Sequence, residues 1–289
     1  MRREEEHTMG SIGGPFQPFG VQRQLGIIQN QRFGVLQQLA TGQRINRAAD
    51  DPAGLVSSEQ LRAMLADLEA ESRSLDRARS SSRVVDSAYS EISDLLIEAE
   101  GLAVANANSA GLSDAEREAN QMELNSILSS VDRVAQSTSF AGEYLLRGGS
   151  SLAVESASVD LASAAVNDLG QTEIDGESYT LSDIGSGGAM AIDGSDLSGS
   201  LEILRAARQE VIFAQAEVGA FERNAIEPRT ASLGVAIESL SAAESSIRDT
   251  DYAKATAALA RLDVLENSAV RITSAGARID PSALIRLLG

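Results

Sequence analysis

Between Gly54 and Gly101 the chain carries neither glycine nor proline, and its apolar residues fall into a repeat. One row, at seven-residue spacing, reads Leu61, Leu68, Leu75, Ser82, Tyr89, Leu96, Ala103. A companion row supplies Leu65, Ser72, Val85, Ile92 and Ala99, broken by Arg79. Alternation by threes and fours is the seam of a helix lying along other helices. From Pro52 to Leu102 such a helix would run about 75 Å at 1.5 Å per residue, more than a compact globule needs. Asp50-Asp51-Pro52 signs its start, with acids where free amides point and proline where no N–H is required. Ser113-Asp114-Ala115-Glu116 has capping-box spacing and predicts a second helix. Its row Leu124, Ile127, Val131, Val134 is expected to pack back on the first, antiparallel across a short linker.

The pattern changes over residues 138–200. Apolar positions alternate in Glu173-Ile174-Asp175-Gly176-Glu177-Ser178-Tyr179, and Asp175-Gly176 predicts a type I′ hairpin turn. Gly142 and Gly148-Gly149 predict an earlier hairpin around Tyr144-Leu145-Leu146. The remainder, including Gly185-Ser186-Gly187-Gly188, reads as exposed loop. Helical spacing returns with Leu204, Ala207, Val211, Ala214, Val218, Phe221 and Ala225. It resumes as Leu233, Ile237, Leu240, Ile247 after Pro228, which is expected to kink or break the helix. A last amphipathic stretch runs from Tyr252 to about Val270. The fold class is therefore mainly α, a long antiparallel coiled-coil bundle of N- and C-terminal segments with a small hairpin- and loop-rich middle.

Charge and composition narrow the function. Lys+Arg number 24 against 42 Asp+Glu, a net charge of −18, which disfavours nucleic-acid binding. There is no Cys and one His, His7, so thiolate chemistry, His-based triads and multi-His metal sites are excluded. No uncharged apolar run is long enough for a membrane span, and no secretory apolar region lies near the start. Aromatics are only 3%, so aliphatic residues and alanine supply the apolar mass, which suits thin helical packing. Residues 150–200 hold acids but no Lys or Arg, which predicts an outlying segment. Asp50, Asp51, Asp249 and Asp251 read as helix-capping residues rather than ligands. No cofactor and no enzyme activity are expected.

Residues 36–54, LQQLATGQRINRAADDPAG, closely resemble the N-terminal signature of bacterial flagellins, with matching positions at Leu39, Thr41, Gly42, Arg44, Ile45, Asn46, Ala48, Asp50, Asp51, Ala53 and Gly54. Val131-Asp132-Arg133-Val134-Ala135 and Thr138-Ser139-Phe140-Ala141-Gly142 resemble that family's step into a hairpin. Ala242 to Ala253, with Arg248, Asp251 and Tyr252, resembles its C-terminal block. Pro281, Leu284, Leu287 and Leu288 resemble its ending. The resemblance implies a subunit that polymerises with itself into the flagellar filament for swimming. It also implies contacts with hook-associated and filament cap proteins, an export chaperone on the C-terminal segment, and an extracellular place reached without a cleaved signal. Implied along the chain are a leader (1–20), an inner-core segment (21–44), helical core (45–149), a variable outer segment (150–200), helical core (201–248) and a second inner-core segment (249–289). The residues expected to matter in assembly are the matching Leu39, Gly42, Arg44, Ile45, Asn46, Asp50, Asp51, Gly54, Arg248, Asp251, Tyr252, Pro281, Leu284, Leu287 and Leu288. Two other readings share some of these features: a hook–filament junction protein forming an adaptor ring, and a secreted helical adhesin. The Arg44-Ile45-Asn46 and Asp249-x-Asp251-Tyr252-Ala253 blocks favour flagellin over the junction protein.

Overall fold

The computed structural model describes residues 18–108, 111–154, 157–192 and 197–276. Residues 1–17 of the expected leader (1–20) and the terminal Pro281, Leu284, Leu287 and Leu288 lie outside them, while residues 18–20 of that leader open the first helix. The elements are α1 (Pro18–Thr41), α2 (Pro52–Ala107), α3 (Asp114–Ser137), β1 (Ser139–Phe140), β2 (Glu143–Tyr144), β3 (Ser150–Val154), β4 (Ala157–Leu161), β5 (Thr172–Ile174), β6 (Glu177–Tyr179), a 3₁₀ turn (Leu181–Ile184), α4 (Leu197–Phe221), a π-turn (Glu222–Ile226), α5 (Glu227–Arg248) and α6 (Tyr252–Gly276). They form two compact units, one of residues 66–237 and one of residues up to 65 with those from 238.

In the 66–237 unit the seam read from the sequence is the core. Tyr89, Leu96 and Ala103, with Val85, Ile92 and Ala99, are buried on α2. They form one apolar cluster with Leu124, Ile127 and Val131 of α3 and Ile203, Leu204, Ala207 and Val211 of α4. Each fully buried aliphatic side chain contributes about 1.5–3 kcal/mol. The capping box at α3 is present, with Ser113 N–H donating to Glu116 Oε2 at 2.7 Å and Glu116 N–H to Ser113 Oγ at 3.3 Å. The chain reverses between α2 and α3, and Asn120 Nδ2 of α3 donates to Asn106 Oδ1 of α2 at 2.6 Å. The Tyr89 hydroxyl donates to Ala162 O at 3.1 Å.

Among the described residues of the middle there are three antiparallel strand pairs, β1–β2, β3–β4 and β5–β6. Asp175 and Gly176 have φ of 54° and 84°, the left-handed pair of the expected turn. The earlier hairpin differs from expectation. It turns at Ala141-Gly142, so Leu145 and Leu146 follow its second strand and bury their side chains. The β3–β4 pair lies in a Ser- and Ala-rich stretch with no Gly, Pro, Asn or Asp between its strands.

The segment expected as exposed loop around Gly185–Gly188 is loop, with Ser186 and Gly187 exposed, but it is tied to the helices on both sides through the buried Leu181, Ile184, Met190 and Ile192. Side-chain amides replace strand partners there. Gln121 Nε2 donates to Ile184 O at 3.0 Å, and Ile192 N–H donates to Gln121 Oε1 at 2.7 Å. The buried Asn106 Nδ2 donates to Ile192 O at 3.1 Å, and Ser186 N–H donates to Asn125 Oδ1 at 2.9 Å. A Cβ on Gly188 would fall 2.6 Å from the Asp183 carbonyl carbon, so this close return of the backbone needs glycine. Asp160, Asp168, Glu173, Asp175 and Glu177 are exposed while Leu161, Leu169 and Ile174 between them turn inward, and the half-buried Asp183 accepts from Thr180 N–H at 2.8 Å.

Pro228 is met by the π-turn, where Glu227 N–H bonds the Glu222 carbonyl five residues back, and helix resumes at once. In the other unit α1 lies along α6 through Ile28, Leu262 and Ala269, joined by Leu25 and Val35. Arg32 pairs with both Asp263 and Glu266 at 2.9 Å.

Candidate functional site: a clasp between the terminal segments

The two blocks of sequence that resembled a family meet in space. The turn after α1 and the turn after α5 run past each other as an antiparallel bridge, Gln43 opposite Asp249. Thr250 N–H donates to Gly42 O at 2.8 Å and Arg44 N–H to Arg248 O at 2.7 Å. Arg44 then folds its guanidinium over the end of α5, with Nε 3.2 Å from Ile247 O and a terminal nitrogen on the same oxygen. The last carbonyls of a helix lack intrahelical donors, and a cation there is favoured by the dipole. From the opposite side Arg248 reaches Glu59 Oε1 at 2.8 Å, and its guanidinium holds that carboxyl below the usual carboxylate range.

Each neighbouring residue has a local task. Asp50 Oδ2 accepts from the N–H groups of Asn46 and Arg47 at 3.0 and 2.9 Å, closing the loop before α2. Asn46 Nδ2 donates to Gln43 O at 2.7 Å. Asp51 caps α2 by accepting from Gly54 N–H at 2.8 Å, and Asp251 caps α6 by accepting from Lys254 N–H at 3.0 Å. Both aspartates therefore serve as caps. Gly54 must be glycine because a Cβ would press on Asp51 and lie 2.8 Å from the buried Ile45 Cδ1. Gly42 has φ +72°, and its Cβ would sit 3.0 Å from the Tyr252 hydroxyl. Leu39 is half-buried near the end of α1. Gln43, Glu59 and Thr250 belong to the clasp but were not singled out in the sequence, and Ile247, read there only as a seam residue, lends its carbonyl. Only the pairing of two distant segments gives them a role.

Beyond the clasp, α1 and α6 leave apolar side chains in water. Phe33 and Val264 are each 64% exposed, and Ile27, Leu36, Leu265, Val270 and Ile272 are exposed too. Two helices cannot bury apolar residues placed all round their surfaces. Among the described residues no group of three or more His, Cys, Asp or Glu could hold a metal ion, and no helix is long and apolar enough to cross a membrane.

Known families carry the same two blocks. The model of the bacterial flagellin N-terminal helical region matches residues 20–151, and that of the flagellin C-terminal helical region matches residues 201–288. Flagellin FlaB1 of Treponema pallidum is 30% identical over 260 residues, covering 86% of this chain and 89% of the relative. The chain belongs to the bacterial flagellin family. A flagellin of Bacillus subtilis is 28% identical over 280 residues, 88% of this chain and 91% of that protein. The flagellar filament 30.7 kDa core protein of Treponema maltophilum is 28% identical, 86% of this chain against 89%. A solved structure described as a putative flagellar hook-associated protein from Vibrio parahaemolyticus aligns with TM-score 0.59 and 14% identity, over 69% of this chain and 100% of that one. At that identity the likeness is one of fold. The sequence relatives are filament proteins, so this flagellin is a structural subunit of the flagellar filament and assembles with copies of itself.

Proposed function

We propose that the clasp sets α1 beside α6 so that the pair enters the filament as one preformed inner-core element, with neighbouring subunits covering the faces around Phe33 and Val264. The observation that carries this reading is the exposure of large apolar residues on both helices of a pair already joined by its own seam. Leu39, Gly42, Arg44, Ile45, Asn46, Asp50, Asp51, Gly54, Arg248, Asp251 and Tyr252 thus act in assembly by holding the pair in place. Pro281, Leu284, Leu287 and Leu288, outside the described residues, are assigned to assembly on the strength of the family-like ending they belong to. Segments 21–44 and 249–289 line the filament, the helical core surrounds them, and the acidic residues 150–200 face outward. Contacts that do not close on themselves propagate such a polymer.

Family membership also supports the finer expectations. The chain leaves the cell without a cleaved signal, its C-terminal segment is held by an export chaperone, and hook-associated and cap proteins meet it at the filament ends. Seeded polymerisation followed by electron microscopy tests the reading, comparing the full chain with one ending at Arg248. Long tubes from the full chain alone support it. Decoration of seed ends only would favour the junction protein, and tubes from the truncated chain would remove α6 from the inner core.

A further inference from the structure

The seam along α4 and α5 contains an irregular step. Leu204, Val211 and Val218 are buried at intervals of seven, as are Ala207 and the half-buried Ala214, followed by Phe221. Downstream the interval is again seven: Ile226 and Leu233 are buried, and Leu240 and Ile247 are half-buried. Between Val218 and Ile226 it is eight. The π-turn Glu222–Ile226 lies inside that one irregular step. We propose that it is a register joint: the extra residue in the seam creates the π-turn, and Pro228 pins it in place.

The first half follows from helical phase. Uninterrupted α-helix would carry the row of Leu204, Val211 and Val218 on to Ala225, Ser232, Ser239 and Ser246, and that of Ala207, Ala214 and Phe221 on to Pro228, Val235 and Ala242, burying mostly small and polar side chains and turning Ile226, Leu233, Leu240 and Ile247 away. A π-turn takes up one additional residue without rotating the face that follows it. Exposed Arg223 and Asn224 absorb the surplus. The second half follows from proline chemistry. Pro228 has no N–H, and in a tight α-turn its ring strikes the carbonyl four residues back, at Asn224. The wider π-turn relieves that clash. Were the extra residue to move to a neighbouring turn, Pro228 would lie in regular α-helix and the clash would return.

Polar contacts with α2 fix both sides of the joint. Glu222 lies 3.7 Å from Arg83 and 4.0 Å from Arg79. Arg79 also donates to Thr230 Oγ1 at 3.2 Å, and that hydroxyl donates to the Ile226 carbonyl at 2.8 Å. Arg229 Nε meets Glu71 at 2.6 Å. The joint thus gives α5 one phase in every subunit, and a filament of many copies inherits a single form of that helix.

The test uses the full chain as a monomer, so its outcome is independent of polymerisation. Hydrogen–deuterium exchange over peptides spanning 218–235, with thermal melting, compares the wild type, Pro228→Ala, and Pro228→Ala combined with deletion of Asn224. Pro228→Ala is expected to exchange about tenfold faster there, because the surplus residue spreads over adjacent turns. The combined variant is expected to recover slow exchange and to melt above Pro228→Ala, since a continuous α-helix now keeps the same seam. Unchanged or slower exchange in Pro228→Ala would overturn the pinning. A combined variant that exchanges faster and melts lower than Pro228→Ala would overturn the seam as the cause.

Discussion

Arg44 and Ile247, 203 positions apart in sequence, meet where the guanidinium of one closes on a last-turn carbonyl of the helix carrying the other. That contact joins the middle of the N-terminal signature to the end of α5, beside the start of α6. Arg44→Ala is expected to lower stability by about 1–2 kcal/mol, given the partial exposure of the side chain. Arg44→Lys should recover little of it, since an ammonium cannot present two donors on one plane. Denaturant titration of the monomer followed by circular dichroism reads the difference.

Gly42→Ala tests the backbone of the same turn. Alanine at φ +72° is strained, and its Cβ would crowd the Tyr252 hydroxyl. A loss of about 1–2 kcal/mol is expected. The companion variant Gly42→Ala/Tyr252→Phe should regain part of it, because the hydroxyl is the atom in the way.

Much of this arrangement could be read beforehand. The α2 seam from Leu75 to Ala103, the proline and aspartate opening α2, and the Asp175-Gly176 turn all rest on local spacing, which the sequence carries directly. The step from Val218 to Ile226 was present in the same rows, but only a helix traced through it shows that a π-turn resolves it. Gln43, Glu59 and Thr250 were illegible because their partners are far away in sequence. The ties of the loop around Gly185 to the helices were illegible because its backbone partners are amides of Asn106, Gln121 and Asn125, side chains ordinary on a helix surface.

Two ionisable groups give opposite pH signatures. Glu59 is held below the ordinary carboxylate value chiefly by its hydrogen bond from Arg248, so its contribution is present above 4.5 and lost as pH falls through the lower folded value. Glu59→Gln should therefore flatten the acid limb of a stability–pH profile. Tyr89 is pushed up to about 12, mainly by burial and secondarily by Glu217. Its contribution is full below 10 and fades as pH rises towards 12. Ultraviolet titration of the phenols, wild type minus Tyr89→Phe, should show a late-ionising tyrosine that becomes ordinary on unfolding.

Ser82 stands in the α2 seam, fully buried, with a hydroxyl that has no hydrogen-bond partner among the described residues. Removing an unsatisfied buried polar atom relieves its desolvation. Ser82→Ala is expected to be neutral or stabilising by up to about 1 kcal/mol in thermal or denaturant unfolding. A clear loss would mean that the hydroxyl is bonded in solution.

The central claim is that the free faces of α1 and α6 are covered by other copies of the chain. Seeded polymerisation of Phe33→Glu/Val264→Glu, viewed by electron microscopy beside the wild type, tests it most directly. Both side chains are solvent-exposed in the subunit, so the variant monomer should keep its helix content and melting temperature. The account predicts long filaments from the wild type and none from this folded variant. Filaments of normal length and yield from the variant would contradict it.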